Sequence, residues 1–270
     1  MYAIGGSGGN GKEVERFDLQ TRLWEACAPL VKVGGYNVVA VVLKGHLYVL
    51  GGGDEGRAME RFSEATNAWE ACAAIPRTKD AIVATVVAGK AYVLSDQELD
   101  CFDPDTEAWE ALPDAPSSNT DGALVAHDKF LFALGDSFPA SAIVDRYDTV
   151  RRVWERHAPM PAPRGHCGAV LLRGRIYVVG GFNTSGHTEA TVFRYDPTTD
   201  VWGKTACAPL PTPRYGLAVC AVNDERILAI GGWSDSGVVA TVEEYNPDSN
   251  SWSTCPSMPT TCYYLAAACM

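Results

Sequence analysis

Residues 173–202 read "RGRIYVVGGFNTSGHTEATVFRYDPTTDVW". Two runs of strand formers flank a Gly pair and a polar loop, and a Trp follows a Tyr by seven positions. "IYVVGG" reads as one strand, and "TVFRYD" as the next, with alternating apolar faces. "DPTT" is a turn in which Pro presets φ and the Asp side chain bonds nearby backbone. "VWG" opens a further strand. Just upstream, "HCGAVLL" (166–172) is a short strand and "RGR" (173–175) a Gly turn. Gly180–Gly181 marks a point where the chain takes positive φ or where neighbouring backbone comes close. The unit is four short strands, a to d, joined by short connections into an antiparallel meander.

The pattern recurs. An aromatic precedes a Trp by seven residues at Phe17/Trp24, Phe62/Trp69, Phe102/Trp109, Tyr147/Trp154, Tyr195/Trp202 and Tyr245/Trp252. Upstream of these pairs stand "YAIGG", "YVLGG", "YVLSD", "FALGD", "YVVGG" and "LAIGG". The Trp residues lie 45, 40, 45, 48 and 50 positions apart. A period of about 40–50 residues with four strands per unit is the signature of a propeller blade. The seven-residue spacing spans the end of strand c, the turn and the start of strand d. It sets both aromatics in the layer between adjacent blades, where each ring buries a large apolar area. One blade cannot bury its own faces, whereas six in a circle bury all of them.

The double Gly, the spaced Tyr and Trp, and the "PRGHCGAVLL" and "PRYGLAVCAV" segments resemble the kelch repeat. The resemblance covers the whole chain and implies an all-β, six-bladed kelch β-propeller with four antiparallel strands per blade. Two departures stand out. Blade three has Ser95-Asp96 where the Gly pair belongs and a very short loop before Cys101-Phe102, and blade four has Gly135-Asp136; altered b–c connections are expected in both. The chain opens in a strand b, "MYAIGG", and finishes in "CYYLAAACM" (262–270), a strand a with no b after it. The C-terminal strand is therefore expected to join the N-terminal blade and close the ring. Residues 1–270 form one propeller domain, either taken from a longer protein or standing alone.

The net charge of −11 argues against a sequence-independent grip on nucleic acid, which needs a basic face, and against an anionic membrane surface. No apolar run reaches the roughly 18 residues of a membrane span. Of nine cysteines, Cys27, Cys72 and Cys255 lie three residues after a repeat Trp and Cys207 five after. Equivalent places in different blades are far apart, so these four read as small buried residues rather than bonded pairs. Free buried thiols suit a reducing compartment, the cytoplasm or the nucleus.

By family resemblance, the d–a and b–c loops form the ligand-binding face. Aligning the d–a segments on the Gly pair gives three sets. The first is Gly35, Lys79, Asn119, Arg164, Arg214 and Cys262. The second is Asn37, Ala81, Asp121, His166, Gly216 and Tyr264. The third is Val39, Val83, Ala123, Gly168, Ala218 and Ala266. Strand periodicity puts all three on one face. The third set, small or Val, is the expected channel wall, and the first two the expected mouth. Lys79, Arg164 and Arg214 then ring an anion pocket suited to a carboxylate or phosphate; alternatively, each Arg is tied to a loop Asp or Glu. Trp233 lies outside the repeat register, in a b–c loop like Phe182 and His187, either as a hot spot or as a loop anchor. Tyr215 and Tyr263 stand beside the aligned positions. Asp121 and His166 fall at one height on adjacent blades and could touch. They read as a base pair or as a water-bridged pair in the channel wall.

The His residues show no HxH or HExxH spacing, and no GxxxxGK[ST] loop is present. No metal or cofactor is expected. Some kelch propellers are copper oxidases or iron-dependent specifier proteins; the iron pattern of a Glu, an Asp and a His four apart is absent. The leading expectation is a non-catalytic, monomeric module that binds a protein or peptide, acidic if the cations face it. It would serve as a substrate receptor of a cullin-type ubiquitin ligase, joined to a BTB domain, or as a cytoskeletal adaptor. The alternative is a small-molecule enzyme of the kelch-type sugar epimerase kind, using Asp121, His166 and the two Arg.

Overall fold

The structure is a computed structural model that describes residues 1–52, 56–77, 81–137 and 139–270. Six four-stranded antiparallel sheets follow one another along the chain. Blade 2 runs from Val38–Leu43 to Ala68–Ala71, blade 3 from Val83–Val87 to Ala108–Ala111, and blade 4 from Ala123–His127 to Val153–Arg156. Blade 5 runs from Gly168–Leu172 to Val201–Trp202 and blade 6 from Ala218–Val222 to Ser251–Cys255. Blade 1 takes strands b, c and d from the N-terminus (Tyr2–Ile4, Val14–Phe17, Trp24–Ala26) and its inner strand, Ala266–Ala268, from the C-terminus. The pairs Tyr2–Ala268 and Ile4–Ala266 close the ring.

The seven-residue spacing is the geometry of the c–d hairpin. In every blade the strand c aromatic and the Trp are directly opposed partners, with ring centroids 4.8–5.2 Å apart. Cross-strand pairs of this kind are the unit of sheet stabilisation. The buried residues sort into six clusters, each built from two neighbouring blades. Each indole N–H also donates across the seam to a carbonyl of the preceding blade: Trp69 to Ala28, Trp109 to Ala73, Trp154 to Pro113, Trp202 to Ala158 and Trp252 to Ala208, at 2.9–3.1 Å. Trp24 donates to Pro256 O at 2.9 Å and carries the series across the closure.

Strand b of blade 5 ends at Val179, because Gly180 and Gly181 take φ of 63° and 93°. A Cβ on either would sit 2.6–2.7 Å from a carbonyl oxygen, that of Arg214 or Gly165, so both expected reasons for glycine apply. In blade 3 Asp96 takes the positive φ instead, at 54°. Its b–c connection shrinks to Asp96–Gln97, since Ser95 pairs with Glu98. In blade 4 the connection carries a Ser137–Ala140 bridge.

Candidate binding face at the channel mouth

The second aligned set builds the mouth. Asn37, Asp121, His166, Gly216 and Tyr264 all sit in the left-handed region, φ 46–60°. Asn, Asp and His tolerate that region better than most residues, and Tyr264 has no such tolerance. The backbone bonds supply the reason for it. His166 N–H donates to Asp121 O at 3.0 Å, Gly216 N–H to His166 O at 3.0 Å, and Tyr264 N–H to Gly216 O at 2.7 Å. The left-handed turn swings each N–H sideways onto the previous blade, so a backbone relay runs around the rim through blades 4, 5, 6 and 1.

That turn also breaks the two-residue alternation, and the expected channel wall is off by one. Ala123, Ala218 and Ala266 lie in the cores between blades, and Val39 and Val83 pack against such cores. The channel is walled instead by residues one step further on, among them Ala40, Ala84, Ala169 and Ala267, around a cavity of about 430 Å³.

Above it the mouth holds a second cavity of about 150 Å³, lined by Asn37, Asp121, His166, Gly216 and Tyr264. As their common height suggests, Asp121 and His166 meet: Oδ2 lies 3.7 Å from Nε2. The Tyr264 hydroxyl is 3.3 Å from the same nitrogen. Burial holds the His166 imidazole down at about 4. It also pushes the Asp121 carboxyl up to about 6, with the Asp136 charge adding to the shift.

The two shifts have opposite signs in stability. A neutral His166 favours the fold above its unfolded value of about 6.5, and that contribution is lost as pH falls towards 4. A protonated Asp121 favours the fold below its unfolded value of about 3.9, and that contribution is lost as pH rises through 6. Between these limits the folded pair keeps one proton on Asp121 and the unfolded pair one proton on the imidazole, so the slopes cancel. Asp121→Asn should therefore expose an acid-side loss of about 2–3 kcal/mol, and His166→Gln a loss of similar size as pH rises. Urea titrations over about pH 4–7 check this; variants with the flat profile of the parent would show that neither group is shifted.

Four members of the first aligned set, Asn119, Arg164, Arg214 and Cys262, are buried rather than lining the mouth. Arg214 is fully buried and Arg164 is 2% exposed, so the expected ring of rim cations fails for both. Arg214 Nη1 meets Glu243 Oε2 at 2.5 Å and Thr212 O at 3.0 Å, while Nη2 donates to Ala229 O. Arg164 donates to Glu189 Oε2 at 3.3 Å and to Pro163 O, and its guanidinium lies 4.6 Å from the centre of the Phe193 ring. Asn119 is buried and donates to Leu134 O and Gly135 O. Cys262 is buried with its thiol on Gly5 O. Lys79 lies outside the described residues.

A signal missed in the sequence explains the arginines. Two residues before the strand c aromatic stands an acid in five of six repeats: Glu15, Glu60, Asp100, Asp145 and Glu243, all buried. Four of them tie down a neighbouring d–a connection, and Asp145 instead holds its cross-strand partner in strand d of its own blade. Glu243 takes Arg214, and Asp100 takes Arg77 at 2.8 Å. Asp145 takes Arg156 at 2.6 Å, and Glu15 takes the Thr260 hydroxyl at 2.7 Å. Glu60 accepts the backbone N–H groups of Val31, Lys32 and Val33. Blade 5 has Phe193 in that slot, and there Arg164 stacks on the ring and reaches Glu189 instead.

The aromatic residues do gather at the mouth. His166 packs on Phe182, Tyr215 and Tyr264, with centroids 4.7–6.0 Å apart. Tyr264 stacks on Tyr263 at 4.8 Å, and Trp233 meets Tyr263 edge-on at 5.2 Å. Backbone bridges Tyr215–Trp233 and Ser7–Tyr263 hold this wall across blades 5, 6 and 1. Trp233 is 36% exposed, in a short hairpin with Gly237–Val238, and Tyr36, next to Asn37, is 63% exposed. His187 is exposed on the blade 5 loop and, among the described residues, joins no cluster of rings. Among the described residues no three His, Cys, Asp or Glu side chains converge as metal ligands.

Six blades around a channel whose mouth carries an aromatic wall define a β-propeller, and comparison with known proteins gives its family. The model of the KLHDC2/KLHL20/DRC7 Kelch-repeats domain matches residues 97–262, so the chain belongs to the Kelch-repeat family. It is 29% identical over 181 residues to Kelch-like protein terF of Aspergillus terreus, covering 56% of this chain and 38% of that protein. It is 26% identical over 265 residues to Kelch-like protein 25 of Xenopus tropicalis, covering 96% of this chain and 39% of that protein. The chain thus spans well under half the length of these relatives. Among solved structures, that of YjhT superposes with a TM-score of 0.76 at 18% identity over 91% of both chains, a likeness of fold.

Proposed function

We propose that this chain is a non-catalytic recognition module that binds a partner protein or peptide over the channel mouth. The aromatic wall carries the reading: Trp233 is exposed and Phe182, Tyr215, Tyr263 and Tyr264 are half-buried beside it, and Trp and Tyr on a rigid rim are the usual anchors of an interface. An acidic partner draws no support from Arg164 and Arg214, whose charges are neutralised inside the blades. The Asp121 carboxylate, which lines the mouth cavity, suits a segment that offers an apolar or aromatic side chain together with a hydrogen-bond donor. The likeness to longer Kelch-like proteins supports the role of substrate receptor for a ubiquitin ligase, as part of a longer chain. Nine free thiols fit a reducing compartment, the cytoplasm or the nucleus.

The test is affinity capture with the parent and with a Trp233→Ala/Tyr263→Ala variant, each checked by thermal melting. The partner retained by the parent should bind the variant at least about tenfold more weakly, with melting little changed. Equal capture by both proteins removes the aromatic wall from the binding face. A second reading, a small-molecule enzyme, rests on the neutral His166 beside Asp121 in a 150 Å³ cavity. It requires turnover that Asp121→Asn abolishes and that the aromatic variant keeps.

A further inference from the structure

The inner strands of blades 6 and 1 bring two cysteines together that share no slot in the repeat. Cys220, in Ala218–Val222, is buried in the core between those blades. Cys269 directly follows the ring-closing strand Ala266–Ala268 and is half-buried. The two sulfurs are 3.3 Å apart across 49 residues of chain. Both residues line the 430 Å³ channel cavity, so a small molecule in the channel has access to the pair. The other thiols are placed differently: Cys262 sits on a carbonyl and Cys255 beside Arg22 and Glu244.

We propose that Cys220 and Cys269 form an oxidation site that closes, with hydrogen peroxide as the oxidant, into a disulfide across the seam where the ring closes. The less buried Cys269 is the attacking thiol. In the reduced pair the Cys269 S–H donates to the Cys220 sulfur; sharing that hydrogen bond holds Cys269 below the ordinary thiol range and, with burial, raises Cys220. The Cys269 thiolate attacks one peroxide oxygen and breaks the O–O bond. The hydroxide released takes up a proton to become water, and Cys269 becomes a sulfenic acid. The Cys220 sulfur then attacks the Cys269 sulfur, the S–O bond breaks, and the departing hydroxide leaves as water with the Cys220 proton. Two thiols and one peroxide give one disulfide and two waters. The sulfurs must approach by about 1.3 Å to reach bonding distance, within the reach of side-chain rotation. The new bond would tie the closing strand covalently to blade 6.

The experiment treats the reduced chain with a small excess of hydrogen peroxide, then quenches and maps it by mass spectrometry. The expected results are an intact mass lower by about 2 Da and a single linked peptide joining Cys220 to Cys269. The melting temperature should rise by about 5–10 °C and return to its starting value with dithiothreitol. Cys220→Ser should lose the linked peptide and instead accumulate sulfenic acid at Cys269, trapped with dimedone. Oxidation of Cys269 to sulfinic acid in the parent without a linked peptide, a link between other cysteines, or a link between two chains overturns the proposal. The peptide map is made on the parent chain, so it stands even if a variant fails to fold.

Discussion

Removing Tyr264–Met270 will abolish cooperative folding of the propeller. The deleted segment is the inner strand of blade 1 and the only partner of Tyr2–Ile4 on that side. Its loss strips Ala266 and Ala268 from the core between blades 1 and 2, and Leu265 from the core between blades 6 and 1. It also removes Tyr264 from the backbone relay around the rim. Tyr2–Ile4 becomes a bare, buried-type edge, a pairing hazard that folded proteins avoid. Native stabilities of about 5–15 kcal/mol do not survive the loss of a strand from both inter-blade cores that flank blade 1. Circular dichroism and tryptophan fluorescence on heating are the measurement. A single sharp transition at the temperature of the parent would mean that the closure contributes little and that the four seams not touching blade 1 suffice.

Arg214→Ala will destabilise the protein by about 3–5 kcal/mol, because it leaves Glu243 buried without its cation. Thr212 still donates to Glu243 Oε1, but one hydroxyl does not offset a buried carboxylate charge. The Ala229 carbonyl and the Thr212 carbonyl lose a donor as well. Arg164→Ala should cost less, about 1–3 kcal/mol, since Glu189 keeps contact with solvent and part of the interaction is the stack on Phe193. The apolar pair Arg214→Met with Glu243→Leu should recover much of the loss, as replacing both members of a buried pair often does. Denaturant titration of the three variants separates these cases. A loss under about 1 kcal/mol for Arg214→Ala, together with lost partner binding, would return that cation to the mouth.

The blade architecture was legible because its code is local and periodic. Phe62 and Trp69, seven apart, must face each other once strands c and d form a hairpin, and six such pairs specify six blades. The unpaired strand b at Tyr2–Ile4 and the unpaired strand a at Ala266–Ala268 likewise specified the closure. The rim was harder to read. Strand periodicity was carried through Asp121 and His166, but a single left-handed residue resets the alternation, and a sequence does not display φ at Tyr264. The spacing of the arginines from the Gly pair fixes their height along the channel and not whether they point out of the blade or into it. The acids that hold Arg77 and Arg214, Asp100 and Glu243, stand in register two residues before an aromatic. That regularity was available in the sequence and marks the buried alternative. Cys220 and Cys269 share no repeat slot, so nothing in the periodic reading could pair them.

The indole bonds run one way round the ring: every blade donates a Trp N–H backwards and accepts one from ahead. Such a seam has two unlike faces, the arrangement that yields a closed circle or an endless stack according to the turn between units. A ring opened at any seam would therefore expose an indole lacking its acceptor at one end and a vacant carbonyl at the other. Two opened molecules would fit each other as well as each fits itself. Closure by Ala266–Ala268 thus guards against head-to-tail polymerisation, and any change that loosens it should show first as fibres or large aggregates at high protein concentration.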